Sequence, residues 1–388
     1  MESVQQIKGT WLDKLSIKFK YEPKYVGSGY QPLATSWSTH RSHSFVSSRR
    51  LHGYVTYYKD NHHQFLVAGG CCKTTGSFLN DVLAFLPETA EVETVTQSAR
   101  WSPRHSFALL STPDGSRICV IGGEDPLIKS DVWLSTDQGQ SFTCKCLSAP
   151  WEGRVDFAAT FADDIIVIAG GRTPTSAGLG KLLSDVWTSN DNGRSWEQAV
   201  EKAAWKPRAN ASLLYSGGNL ILLGGVTDIS VSDEIWTSAN MGKNWARVSM
   251  QSPPWAARRA CSTVVDRLSG EILIFGGFNG DGAQLTDSWA TIDSGRSWLP
   301  RKAVPNLECS SPVNAVSDGG KVLLMNSSGG VESLSDLQYV KRDCRIVLLL
   351  GSRIESHVSR DLLVTLVIPY AIDTRALGLR TEVPWALI

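Results

Sequence analysis

The sequence predicts an all-β chain built from six copies of one four-stranded unit. Three periodic observations predict it. Diglycines recur at Gly69-Gly70, Gly122-Gly123, Gly170-Gly171, Gly224-Gly225, Gly276-Gly277 and Gly329-Gly330, separated by 53, 48, 54, 52 and 53 residues; self-similarity at such a period marks a stacked array. After each diglycine an acid precedes a mostly aromatic position by two: Asp81, Asp131, Asp185, Glu234, Asp287 and Asp336. Four units open with Trp-x-x-Arg, at Trp101 to Arg104, Trp151 to Arg154, Trp205 to Arg208 and Trp255 to Arg258.

Each arginine is followed by a small-and-apolar stretch, such as Ser106 to Leu110 or Ala211 to Tyr215, read as the first strand of its unit. The second strand is the apolar run that each diglycine stops: Phe65 to Val67, Ile118 to Ile121, Ile165 to Ile168, Leu220 to Leu223, Ile272 to Phe275 and Val322 to Met325. Short β-branched runs ended by glycine read as buried strands. The Asp-x-Trp position starts a third strand. In the middle four units the form Ser-x-Asp-x-Gly-x-Ser-aromatic then appears: Ser135 to Phe142, Ser189 to Trp196, Ser238 to Trp245 and Thr291 to Trp298. Its Asp137, Asp191, Asn240 or Asp293 can accept backbone N–H bonds inside a tight turn while the glycine takes a positive φ, so the motif closes a hairpin onto a fourth strand.

Four antiparallel strands per roughly 50 residues, with a diglycine and a periodic tryptophan, match the blade of a β-propeller and the kelch period in particular. The chain resembles a kelch-repeat propeller over about residues 50–340. The turn motif is similar to the Asp boxes of sialidase-type (BNR) propellers. The expected fold is therefore a six-bladed kelch-type β-propeller. Seven blades, using residues 10–50 and the C-terminal tail, are the alternative.

Three regions are expected: an N-terminal segment 1–50, a propeller 51–344 and a tail 345–388. A propeller must close its ring, and one terminus commonly adds a strand to the blade built by the other, removing an open edge. Ser16 to Tyr21 is the expected closing strand. The first unit lacks the Asp turn. The sixth lacks both tryptophans and Trp-x-x-Arg, as suits a terminal repeat. In the tail, Arg345 to Leu350 and Leu362 to Tyr370 read as strands, and charges interrupt them well short of the ~20 apolar residues that span a bilayer. The tail could finish blade six, join a seventh blade or stand outside the ring.

The 38 acidic and 38 basic residues balance, and no Lys/Arg block stands out. That argues against nucleic acid or an anionic membrane as the main partner. The eight cysteines lack the spacing of zinc sites and read as reduced thiols. Together with an N-terminus lacking an apolar signal core, they point to the cytoplasm or nucleus. The sequons at Asn210 and Asn326 arise readily by chance.

Arg104, Arg154, Arg208 and Arg258 share one place in four units and would form a partial ring around one mouth of the channel. Guanidinium groups there would bind acidic peptides, carboxylates or phosphates bidentately. The alternative is that each arginine pairs with a repeat acid such as Asp131 or Asp185. The loops from diglycine to acid vary in length and chemistry and are expected on the same face, where binding is usually built. Trp133, Trp187, Trp236 and Trp289, with Trp196, Trp245 and Trp298, recur too strictly for a sugar platform and read as core between blades. Cys144-Lys-Cys146 is too sparse for a metal site. No metal, cofactor or catalytic residue is expected.

The resemblance to kelch proteins implies a non-catalytic protein-interaction scaffold that presents a loop-rich face to a partner protein through an acidic segment of that partner. The resemblance to Asp-box propellers implies, alternatively, a sialidase-type glycoside hydrolase, which would need an arginine triad, an activated tyrosine and a catalytic aspartate. The Arg-Ile-Pro signature is missing, and repeat-equivalent arginines keep a symmetry that a triad breaks. A copper radical oxidase of galactose oxidase type, also built of kelch repeats, would need clustered His and Tyr ligands. Four of the seven histidines lie in the first 62 residues.

Overall fold

The structure, a computed structural model, describes residues 49–301 except 60–61, 87–90, 174–179, 249–251 and 267–269. Elsewhere it describes only the strands Lys18–Phe19, Trp37–His40, Asn314–Asp318, Lys321–Met325, Val331–Leu334, Arg345–Leu350 and Leu362–Val367. Gly329-Gly330, Asp336, Cys309, Cys344 and the 26–29 turn lie outside the described residues. Every element among the described residues is a strand, and none of them forms a helix long and apolar enough to cross a membrane. The chain divides into two compact units, residues 33–338, and residues 1–32 with 339–388.

Unit 33–338 holds the repeats as a β-propeller with five blades over 49–301. The first blade pairs Gly53–Lys59, His62–Cys72, Phe78–Leu86 and Glu91–Thr96 in antiparallel order. The second runs Ala108–Ser111, Ile118–Ile121, Val132–Ser135 and Thr143–Cys146. The third runs Ala158–Ala162, Ile165–Ala169, Val186–Ser189 and Glu197–Val200. The fourth comprises Ser212–Ser216, Asn219–Leu223, Ile235–Ser238 and Ala246–Arg247, and the fifth Ser262–Val265, Ile272–Phe275, Ser288–Thr291 and Leu299–Arg301.

Alternation along the second strand explains its unbroken apolarity. Ile118 and Val120 pack with Leu66 and Val82 of the blade before, whereas Cys119 and Ile121 pack with Ile166 and Ile168 of the blade after. Both faces are covered, so no position is left for a polar residue. Each such side chain contributes about 1.5–3 kcal/mol when fully buried. Perpendicular aromatic pairs seal the outer part of the blades: Trp101 with Phe142, Trp151 with Trp196, Trp205 with Trp245 and Trp255 with Trp298, at centroid distances of 5.6–6.0 Å.

A further four-stranded sheet has the same order, Asn314–Asp318, Lys321–Met325, Val331–Leu334 and then Trp37–His40 from the N-terminal side. Its first strand neighbours the first strands of both the fifth and the first blade. Ser16 to Tyr21 is therefore not the closing strand. Lys18–Phe19 pairs instead with Arg345–Leu350, in the other unit. The edge left by Val331–Leu334 needs a partner, and Trp37–His40, close in sequence to blade one, supplies it. In unit 1–32 with 339–388, Arg345–Leu350 also pairs antiparallel with Leu362–Val367.

Candidate functional site: the axial mouth

The arginines that were candidate ligands for a partner face inward. Arg104, Arg154, Arg208 and Arg258 are 0–1% exposed, and each is saturated by its own blade. Arg154 donates from Nη1 to Asp185 Oδ1 and from Nη2 to Oδ2, both at 2.8 Å, and from Nη1 to the Gly170 carbonyl at 3.0 Å. Its Nε donates to the Glu152 carbonyl, and its guanidinium stacks over Trp151. Arg104 with Asp131 and Arg258 with Asp287 repeat this fork. Arg208 makes a single 2.6 Å bond to Glu234. The anion-binding ring is thus corrected to four internal ion pairs, because a guanidinium that already donates to a carboxylate and a glycine carbonyl and has almost no exposed surface is out of a ligand's reach. For the same reason these arginines do not compose a sialidase triad.

The same residue has a fifth copy that the Trp-x-x-Arg pattern misses. Arg49, preceded by Val46 instead of tryptophan, bonds both oxygens of Asp81 and the Gly69 carbonyl. The repeat acids also orient the tryptophans. Trp133, Trp187, Trp236 and Trp289 donate their indole N–H to Asp131, Asp185, Glu234 and Asp287 at 2.7–3.1 Å. Burial pushes Glu234 and Asp287 upward, but the bonds from arginine and tryptophan outweigh it and hold both below the usual carboxylate range.

The turn residues Asp137, Asp191, Asn240 and Asp293 each accept from the hydroxyl of Ser135, Ser189, Ser238 or Thr291 and from a backbone N–H four residues on, at 2.7–3.1 Å. The hydroxyls in turn accept from the glycine N–H. In each turn the residue before the glycine also takes a positive φ, Gln138, Asn192, Met241 and Ser294 at 53–61°, which the sequence reading assigned to the glycine alone.

What opens to solvent on the axis is built from the neighbours of the repeat arginines. Two residues after each lies Leu51, Ser106, Asp156, Asn210 or Ala260, all left-handed at φ 52–54°. Each N–H donates to the carbonyl of the one before, Ser106 to Leu51, Asp156 to Ser106, Asn210 to Asp156 and Ala260 to Asn210, at 2.7–3.4 Å. The result is a hydrogen-bonded collar that crosses every junction between the five blades. Non-glycine residues in this region store strain that persists only where the surroundings over-determine it.

Above the collar lies a cavity of about 250 Å³ to which all five blades contribute. Its chemistry comes from two positions per blade that face each other through backbone bridges: His105 with Glu124, Val155 with Arg172, Ala209 with Val226 and Arg259 with Phe278. Asp156 is neutralised by Arg172. Arg259 lies over the Phe278 ring at 5.6 Å, and no carboxylate among the described residues pairs with it. Sequence reasoning missed these positions, although a signal was present: the residue after each repeat arginine and the residue after each diglycine change chemistry from blade to blade while their neighbours stay constant. Among the described residues no three His, Cys, Asp or Glu side chains cluster to hold a metal ion.

Comparison with known proteins agrees with the blade geometry. The chain is 30% identical over 140 residues to the tRNA wybutosine-synthesizing protein 4 of Emericella nidulans, a match covering 33% of this chain and 12% of that protein. This chain thus matches a small fraction of that relative's length. The model of the KLHDC2/KLHL20/DRC7 Kelch-repeats domain matches residues 51–277, the stretch that carries the collar, the diglycine strands of the five blades and the pairs of Arg104 with Asp131, Arg154 with Asp185 and Arg208 with Glu234; the chain belongs to that kelch-repeat family.

Proposed function

We propose that this chain is a non-catalytic protein-interaction scaffold, a ring of six blades whose axial mouth receives an acidic segment of a partner protein. The observation that carries the reading is Arg259, half-buried in the mouth and placed over the Phe278 ring, with no carboxylate among the described residues pairing with it. A stacked guanidinium presents a fixed fork that suits a carboxylate and loses little entropy on binding one. Glu124, on the second blade, disfavours a uniformly acidic ligand and selects a donor group at its end of the segment. The sixth blade would be the sheet of Asn314–Asp318, Lys321–Met325, Val331–Leu334 and Trp37–His40, a count supported by the contacts of its first strand with blades one and five. The free cysteines among the described residues support a reducing compartment, the cytoplasm or nucleus. The activity in the Emericella protein's name describes a chain of which the match covers 12%, and it supplies no role for the mouth residues.

The test is selection of displayed random peptides on the purified chain. Peptides enriched in Asp or Glu are expected, with affinity falling as salt rises, and Arg259→Glu should cut binding by about 1.5–3 kcal/mol, the worth of a hydrogen bond to a charged group. Arg259→Lys should retain more, having lost the fork but not the charge. Selection without acidic enrichment, or undiminished binding by an Arg259→Glu protein of unchanged melting temperature, would refute it.

A further inference from the structure

Two Asn-Gly dipeptides occur in the chain, Asn192-Gly193 and Asn279-Gly280, and the fold treats them oppositely. In the first, the Gly193 N–H is buried and donates to the Ser189 hydroxyl at 2.9 Å, and a Cβ there would strike Val132. In the second, Gly280 is exposed, a Cβ on it would meet nothing within 4 Å, and its N–H donates to no acceptor among the described residues. A backbone nitrogen that follows an asparagine is a nucleophile held in place by the chain itself, and glycine leaves it unshielded because no side chain branches beside it.

The Asn279 side chain is set for that attack. It sits in the hairpin after the fifth blade's diglycine, where Phe278 pairs with Gln284 and the Asn279 N–H donates to the Ala283 carbonyl at 3.0 Å. Its Oδ1 accepts from the backbone N–H groups of Asp281 at 3.1 Å and Ala283 at 2.8 Å. The first of these bonds closes a ring that contains the Gly280 nitrogen, so the side-chain carbonyl is folded back along the backbone beside it. The two N–H groups also polarise that carbonyl and meet the charge its oxygen gains in a tetrahedral intermediate, as preorganised donors do in an oxyanion hole. The leaving nitrogen, Nδ2, donates to nothing among the described residues. Asn192 has no such arrangement: its Oδ1 accepts from the Arg117 guanidinium, and the nitrogen it would need is the one engaged by Ser189.

We propose that Asn279 is a site of spontaneous deamidation, a modification the chain performs on itself with water as the co-reactant. The Gly280 nitrogen forms a bond to Asn279 Cγ, the Cγ–Nδ2 bond breaks, and the proton of the Gly280 N–H leaves with Nδ2 as ammonia. The resulting succinimide adds water at either carbonyl: opening at Cγ gives aspartate, and opening at the main-chain carbon gives isoaspartate, whose backbone continues through Cγ. Aspartate keeps an acceptor for the two N–H groups, whereas isoaspartate lengthens the main chain inside the hairpin by one methylene. Either product adds one negative charge to a chain whose charges balance. Phe278, the preceding residue, lines the axial mouth, yet the chemistry is that of the hairpin and stands apart from the reading of the mouth.

The experiment holds the full chain in ¹⁸O-labelled water near neutral pH and follows its proteolytic peptides by mass spectrometry, after chromatography that separates aspartyl from isoaspartyl forms. Asn279 is expected to convert at least about tenfold faster than Asn192, well within the effect of one oxyanion donor, with one labelled oxygen in each product and isoaspartate among them. In urea Asn192 should accelerate, its protection being a property of the fold, while Asn279 should gain nothing. Gly280→Ala has open space for its methyl group and a φ outside the left-handed region, so it should melt as wild type. Its conversion should be at least about tenfold slower, because the Cβ obstructs the approach of the nitrogen. Asn279 lasting as long as Asn192 in the folded chain, aspartate without isoaspartate, faster conversion of Asn279 in urea than in the folded chain, or an unchanged rate in a folded Gly280→Ala protein would each overturn the proposal.

Discussion

A guanidinium that is nearly fully buried yet meets a carboxylate, a glycine carbonyl and an indole face is a joint of the blade. Removing one member of such a pair strands a buried charge, which costs more than the pair contributes over an apolar substitute. Arg154→Met should therefore destabilise by about 3–5 kcal/mol, with Arg154→Lys intermediate, as measured by urea unfolding. A change under about 1 kcal/mol would show that Asp185 finds water or another partner. The turn carboxylates are less buried and cost less: Asp191→Ala removes the acceptor for Ser189, Arg194 and Ser195 and should cost about 1–2 kcal/mol without altering selection of acidic peptides at the mouth. Loss of that selection in a folded Asp191→Ala protein would count against a purely structural turn.

At the scale of the element, the turn motif joins blades as well as strands. A Cβ on Gly193 would stand 2.5 Å from Val132 Cγ1 of the preceding blade, and its φ of 82° is one that side chains rarely adopt. A Cβ on the equivalent Gly242 would be as tight, 2.6 Å from Val186 Cγ1, whereas on Gly139 and Gly295 it would stand 3.2 and 3.1 Å from Val82 and Ile235; Thr96 of blade one also donates to the Gly139 carbonyl. The hairpin between the third and fourth strands is thus fitted against the neighbouring blade. Gly193→Ala should destabilise by about 1–3 kcal/mol through overpacking and strain, more than Asp191→Ala on the same turn. In a double-mutant cycle Val132→Ala should relieve part of that cost, since it removes the methyl groups in the way. Strict additivity of the two changes would place the whole penalty in the backbone.

For the whole molecule, five carboxylates of the joints and turns are shifted in one direction. Asp137, Asp191, Glu234, Asp287 and Asp293 all lie below the ordinary carboxylate range: burial raises each, and hydrogen bonds to the charged form prevail. A lowered folded value means that the stability they contribute is complete above the unfolded value near pH 4 and is lost as pH falls through the folded values. The urea midpoint at pH 3 should therefore lie below that at pH 7, and Asp191→Ala should weaken this dependence. Equal midpoints at the two values would show that these groups bind protons alike in the folded and unfolded chain.

The period, the four strands per unit and the hairpin turns were legible because a propeller repeats its local chemistry at every blade: an apolar run covered on both faces must be apolar throughout, and a tight turn needs an acceptor and a glycine wherever it occurs. Even the pairing of Arg154 with Asp185 was readable as an alternative to a binding ring. Choosing between the two required packing, since exposure of an arginine depends on what the next blade covers. The mouth was decided by the tertiary structure alone. His105, Asp156, Arg172, Asn210, Arg259 and Phe278 are spread over more than 170 residues of chain, differ in kind, and meet only because the collar brings every blade's entry to one axis. The partner of the Val331–Leu334 edge was likewise beyond the sequence, because Trp37–His40 and Lys18–Phe19 are both short strands ahead of the repeats, and only the pairing itself decides which of them that edge takes.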